Sequence, residues 1–314
     1  MALDSHSIAF LEGLGSSGAK PLHQMKVDEA RQFMAGLREI IGPGPEMLSV
    51  REEHLPCESG SFRVRALVPS QSPDGIIVYC HGGGWVLMSI DDYDTLARRL
   101  AVETNCTVVL VDYRLAPEHP FPAALDDVWQ AVVWTERNRV ALASGNSVPL
   151  IIMGDSAGGN LAAVVAQRSR GVVEIAQQIL IYPVTSDDTD SACYHAAENQ
   201  CLLGTADMRW FWELYLSDAT SRRLPDASPI NAQDLRGLPP AVVVTAEHDI
   251  LRDDGEAYVA AMREAGVRVD HRRFEGQMHG FFSMDRLLPV SAQARAYVAS
   301  YVERRLGELN KAAC

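Results

Sequence analysis

The sequence predicts an α/β fold with a mostly parallel central sheet flanked by helices. Three observations carry this expectation. Short apolar runs recur through the middle of the chain, helical stretches separate most of them, and two glycine-rich turns directly follow such runs. A strand buried on both faces needs apolar residues throughout. Continuous runs alternating with helices therefore read as a parallel sheet covered on both sides.

The first 23 residues are weakly patterned and are expected to form a flexible terminus. Gly13-Leu14-Gly15-Ser16-Ser17-Gly18 fits a GxGxxG spacing. It follows no strand pattern and opens no βαβ unit, so it is not read as a nucleotide loop. Ala30, Phe33, Met34, Leu37, Ile40 and Ile41 recur at helical spacing, and Gly42-Pro43-Gly44-Pro45 stops that helix. Phe62, Val64, Ala66 and Val68 alternate with polar positions, which predicts a half-buried antiparallel strand. Apolar runs follow at 76–80, 107–111, 149–153, 178–182 and 241–245, with helical stretches such as 123–138 and 160–168 between them. The stretch 185–231 breaks the alternation and reads as a helical insertion. Its Trp210, Phe211, Trp212 and Tyr215 suit either a pocket roof or plain packing.

The 314 residues are 47% hydrophobic, enough for a large core, and the formal net charge is -13. Such an acidic chain is repelled by phosphate backbones, which argues against nucleic-acid partners. Six scattered cysteines form no CxxC and no zinc-type cluster with histidine, which points to a reducing, cytoplasmic compartment without a structural metal. Residues 1–25 lack a basic start followed by an apolar run, and no apolar stretch approaches the length of a membrane span. Neither a secretion signal nor stable membrane insertion is expected.

Ligands of open α/β sheets sit beyond the carboxyl ends of the strands, so the residues just after each run hold the candidates for chemistry. Gly154-Asp155-Ser156-Ala157-Gly158-Gly159 follows the run 149–153 and precedes a helix. This GxSxG turn is so tight that its flanks tolerate almost no side chain. It thrusts Ser156 above the sheet, with the positive end of the next helix behind it. His81-Gly82-Gly83-Gly84-Trp85 follows the run 76–80. Its unobstructed backbone N–H groups suit an oxyanion, and His81 is read as a loop brace.

A nucleophilic serine needs a base, and the base needs an orienting acid, in the chain order Ser, acid, His. Four histidines follow Ser156: His195, His248, His271 and His279. His195 falls in the insertion, His271 inside a strand pattern, and His248 beside the acid candidates. His279 lies in a loop after the last strand pattern and is the expected base. Asp249, in the turn past 241–245, is the expected acid, ahead of Glu247, Asp253 and Asp254.

The motifs resemble the hormone-sensitive-lipase-like family of bacterial esterases, within the α/β-hydrolase superfamily. The resemblance rests on His81–Trp85, on Asp112-Tyr113-Arg114-Leu115-Ala116-Pro117, on the GDSAG elbow at 154–158, and on the Asp249 and His279-Gly280-Phe281 loops. It implies an α/β-hydrolase fold with a helical cap. The implied organisation is an N-terminal cap segment (1–45), a first core part (46–184), a cap insertion (185–230) and a second core part (231–314). It implies a Ser156–Asp249–His279 triad, an oxyanion hole from Gly83, Gly84 and Ala157, and substrate contacts at Trp85, Tyr182 and Phe281. Asp112 and Arg114 would tie loops beneath the site. A cofactor-free carboxylesterase acting on short- to medium-chain acyl esters is the expected function, with a homodimer through the last strand or helix as a further implication. Ile250 stands where the family usually has proline. The same fold also builds ligand receptors that lack a triad member, and serine hydrolases of amides, lactones or thioesters.

Overall fold

The computed structural model describes residues 2–313. Helices α1 (Ser5–Ser16), α2 (Val27–Ala35) and α3 (Leu37–Ile41) come first. Strands β1 (Ser49–Cys57), β2 (Gly60–Val68) and β3 (Gly75–Cys80) follow, then α4 (Ile90–Thr104), β4 (Cys106–Asp112), α5 (Ala123–Arg137) and α6 (Arg139–Leu142). The centre of the chain holds β5 (Leu150–Asp155), α7 (Ala157–Arg168) and β6 (Gln177–Ile181). Short helices α8 (Ala192–His195), α9 (Thr205–Tyr215) and α10 (Ala219–Arg222) occupy the insertion. The chain then runs through β7 (Ala241–His248), α11 (Arg252–Glu264), β8 (Val269–Met278) and α12 (Val290–Ala313).

The strands form one eight-stranded sheet in the order β1-β2-β4-β3-β5-β6-β7-β8. β1 and β2 are antiparallel to their neighbours, and β3 to β8 run parallel. Alternate residues feed opposite faces, as the pleat requires. Ile76, Val78 and Cys80 join the core shared with α5, α7 and α11, while Ile77 and Tyr79 join the core shared with α4 and α12. Both faces are covered, which is why the central strands read as unbroken apolar runs.

Three elements differ from the sequence expectation. The beginning of the chain is helix α1, not a flexible terminus. Asp4 caps it by accepting from the His6 and Ser7 N–H groups, and its own N–H donates to the Gly276 carbonyl at 2.9 Å. The GxGxxG stretch is thus the end of a helix. The helix read across 30–41 is broken at Gly36 into α2 and α3. Edge strand β1 was not expected: of its nine residues only Leu55 is buried, so it carries no alternation.

Among the described residues, no helix is long and apolar enough to cross a membrane.

Candidate active site

The turn after β5 is set by close backbone approach. A Cβ on Gly154 would lie 2.2 Å from the Gly158 carbonyl oxygen, and one on Gly158 would lie 2.0 Å from that of Cys80. Ser156 itself has φ 55° and ψ -120°, a conformation L side chains rarely adopt. The surroundings hold it there. Its N–H donates to the Ile181 carbonyl at 2.8 Å, and its carbonyl accepts from Asn160 and Val184. The Asn160 amide in turn donates to the carbonyls of Val184 and Ala227. Gly158→Ala is therefore expected to lower stability by more than about 4 kcal/mol or to prevent folding. Thermal unfolding of the purified variant checks this; a midpoint within a few degrees of wild type would contradict it.

Ser156, Asp249 and His279 come from three separate strand ends and meet in one row. His279 Nε2 lies 2.9 Å from Ser156 Oγ, and His279 Nδ1 lies 2.8 Å from Asp249 Oδ2. Asp249 is fully buried, and its Oδ1 accepts from the Leu251 N–H at 2.9 Å. One carboxylate oxygen is thus fixed by backbone and the other faces the imidazole, which favours the Nδ1–H tautomer. Nε2 is then left free to accept from the serine hydroxyl. The other acid candidates are engaged elsewhere. Glu247 accepts from the Gly276 N–H at 2.7 Å, and Asp253 and Asp254 lie in the first turn of α11. His271 bonds Thr245 from within β8.

The glycine loop after β3 lies against this row. Gly83 and Gly84 have φ 107° and 61° and share a cavity wall with Ser156 and His279. A Cβ on Gly84 would enter the Phe211 ring at 2.3 Å, so glycine is required there. Ala157 supplies the first N–H of α7. Among the described residues, the N–H groups of Gly83, Gly84 and Ala157 donate to no other protein group. His81 is a brace, as expected: it is buried and stacked on Tyr113 at 4.2 Å, and the Tyr113 hydroxyl donates to the His81 carbonyl.

Asp155, between elbow glycine and serine, is buried at the cavity wall beside Tyr93. Burial pushes its carboxyl up to about 6, against the opposing pull of hydroxyl donors Tyr93 and Tyr79. Those bonds measure 2.7 and 2.9 Å. In the sequence, Asp155 figures only as part of the elbow motif, and no role falls to it or to either tyrosine. An acid beside the nucleophile inside a buried strand was the one available signal.

The cavity encloses about 930 Å³ of empty space, part of it open to solvent. Leu22, Met34 and Ile41 from the N-terminal segment and Leu202, Met208 and Phe211 from the insertion line it. Its ionisable lining includes the Arg38–Asp92 ion pair at 2.6 Å and the Asp155 carboxyl.

A family model described as alpha/beta hydrolase fold matches residues 77–283. The chain belongs to that family. The carboxylesterase NlhH of Mycobacterium tuberculosis is 39% identical to this hydrolase over 238 residues, 74% of each chain. The ethyl acetate hydrolase of Pseudomonas putida is 30% identical over 319 residues, covering 98% of this chain and 100% of its own. Among solved structures, a thermostable esterase from Pseudomonas putida superposes with a TM-score of 0.91 at 32% identity, over 97% of this chain and 98% of its own. A hyperthermophilic esterase from the archaeon Pyrobaculum calidifontis does so with a TM-score of 0.88 at 35% identity, over 97% and 99%. These similarities support the hormone-sensitive-lipase-like, carboxylesterase character read from the motifs.

Three expected substrate contacts of this hydrolase lie behind the cavity wall. Trp85 is fully buried and stacks on Tyr215 at 4.3 Å, fastening the glycine loop to α9. Tyr182 is fully buried with its ring 4.6 Å from the His279 imidazole, and Phe281 packs beyond it. None of the three is among the lining residues. Each neighbours the site in sequence, but its side chain points into the core. Asp112 and Arg114 join strands and helices: Asp112 pairs with Arg63 of β2 and accepts from the Ile90 N–H at the start of α4, and Arg114 forks onto Asp127 of α5.

Proposed function

We propose that this hydrolase is a carboxylesterase that carries the acyl group on Ser156. The observation that supports it best is the unbroken row Ser156–His279–Asp249, at 2.9 and 2.8 Å, in the floor of a largely apolar cavity. In this reading His279 Nε2 takes the hydroxyl proton as Oγ attacks the ester carbonyl. Asp249 steadies the imidazolium. The N–H groups of Gly83, Gly84 and Ala157 hold the tetrahedral oxyanion. The alcohol leaves with the proton from His279. Water, deprotonated by the same imidazole, then attacks the acyl-enzyme and releases acid and free Ser156.

The N-terminal segment and the insertion together act as the cap over the cavity, since both contribute its lining. The complete row favours an enzyme over a receptor built on the same fold. A homodimer through the last strand, β8, or the last helix, α12, and a cytoplasmic location belong to the same proposal.

The apolar lining, which includes Phe211 and Met208, supports acyl esters of short to medium chain as substrates. Hydrolysis of p-nitrophenyl esters from acetate to palmitate tests this. The rate is expected to peak at short to medium chains. A maximum at palmitate would overturn the chain-length assignment.

A further inference from the structure

The mechanism leaves one buried constellation unused. Asp155 directly precedes Ser156 in the strained turn, and its two oxygens take different donors. Tyr79 donates to Oδ1 at 2.9 Å and Tyr93 donates to Oδ2 at 2.7 Å. The two tyrosines differ in what else they touch. The Tyr93 hydroxyl also accepts from the Gly82 N–H at 3.1 Å, so it joins the elbow to the glycine loop. The loop is pressed against this pair: a Cβ on Gly82 would come within 2.6 Å of Asp155 Oδ2 and 2.8 Å of the Tyr93 hydroxyl. Tyr79 lies within β3, and its hydroxyl bonds only the carboxylate among the bonds described.

We infer that Tyr93 is a positioning residue for ester hydrolysis: through Asp155 Oδ2 and the Gly82 N–H it fixes the oxyanion-binding glycines relative to Ser156. This rests on the carboxylesterase reading above. The physical need is plain. Gly83 and Gly84 lack side chains that would anchor them, and oxyanion donors act fully only when held in place before charge develops. Tyr93 is 4% exposed, and a buried backbone N–H without a partner is costly. Removing the hydroxyl takes one acceptor from the Gly82 N–H, leaves only the Asp155 carboxylate against it, and loosens the hold of the elbow on the loop.

The test compares Tyr93→Phe with Tyr79→Phe. Each removes one hydroxyl from the same buried carboxylate and keeps the ring. Steady-state kinetics on p-nitrophenyl butyrate, inhibition by an alkyl trifluoromethyl ketone and thermal midpoints are measured for both variants and wild type. The ketone adds to the serine as a tetrahedral oxyanion and so reports on the glycine loop. Tyr93→Phe is expected to lower kcat about 10- to 100-fold with little change in KM, and to weaken the ketone by a similar factor. Tyr79→Phe is expected to lower the midpoint to a similar extent while costing far less in kcat. Equal losses of kcat in the two variants, or an unchanged kcat in Tyr93→Phe, would overturn the inference. Absent ester turnover in folded wild type would instead remove the carboxylesterase reading on which it stands.

Discussion

Ser156→Ala is expected to lower kcat by about 10⁶ while leaving the fold intact. The substitution removes the only atom that forms the acyl bond, so the variant retains binding and oxyanion contacts but no covalent route. The strained turn survives, because it is set by Gly154, Gly158 and the bonds to Ile181, Asn160 and Val184, none of which uses Oγ. Steady-state hydrolysis of p-nitrophenyl butyrate beside a thermal melt separates the two effects. A folded variant with more than about one hundredth of wild-type kcat would exclude the covalent route through Ser156.

Asp249→Asn is expected to cost about 10⁴ in kcat, for a reason of proton placement. Asp249 Oδ1 already accepts from the Leu251 N–H, and Oδ2 faces His279 Nδ1. An asparagine has one acceptor oxygen, and the buried Leu251 N–H claims it. The amide NH₂ then meets Nδ1 and donates to it. Nδ1 becomes the acceptor, the ring proton moves to Nε2, and Nε2 can no longer take the proton of Ser156 Oγ. Shape and volume hardly change, so kcat and stability should part company. A loss under tenfold would mean that another group orients the imidazole.

Much of this was legible before any coordinates. Strands β3 to β7 announced themselves because burial on both faces leaves short, mostly apolar runs. Ser156, Asp249 and His279 could be singled out because parallel strands deliver their loops to one edge: Ser156 and Asp249 sit just past apolar runs, and His279 just past the last strand pattern. What escaped has equally physical causes. Exposed β1 carries charge where a buried strand carries alternation. Helix α1 has no strong apolar stripe, with Ser7 its one buried residue, and it is secured by Asp4 bonds to a strand almost the whole chain away. The cavity lining draws on Leu22, Met34, Leu202, Met208 and Phe211, far apart in sequence and joined only by folding. Trp85, Tyr182 and Phe281 failed as contacts for the converse reason. Nearness along the chain does not say which way a side chain points. Trp85 has φ 60° and Tyr182 φ 34°, turns of the backbone that no local pattern revealed.

The central claim is that Ser156 carries the acyl group. Its most direct test is covalent capture with a p-nitrophenyl alkylphosphonate, which a catalytic serine attacks in place of an ester and cannot readily release. Intact-mass and peptide analysis should find one phosphonyl group per chain, on the peptide containing Ser156, with ester hydrolysis lost in step and no adduct on Ser156→Ala. Full labelling on a different residue, or loss of ester hydrolysis without an adduct on Ser156, would contradict it.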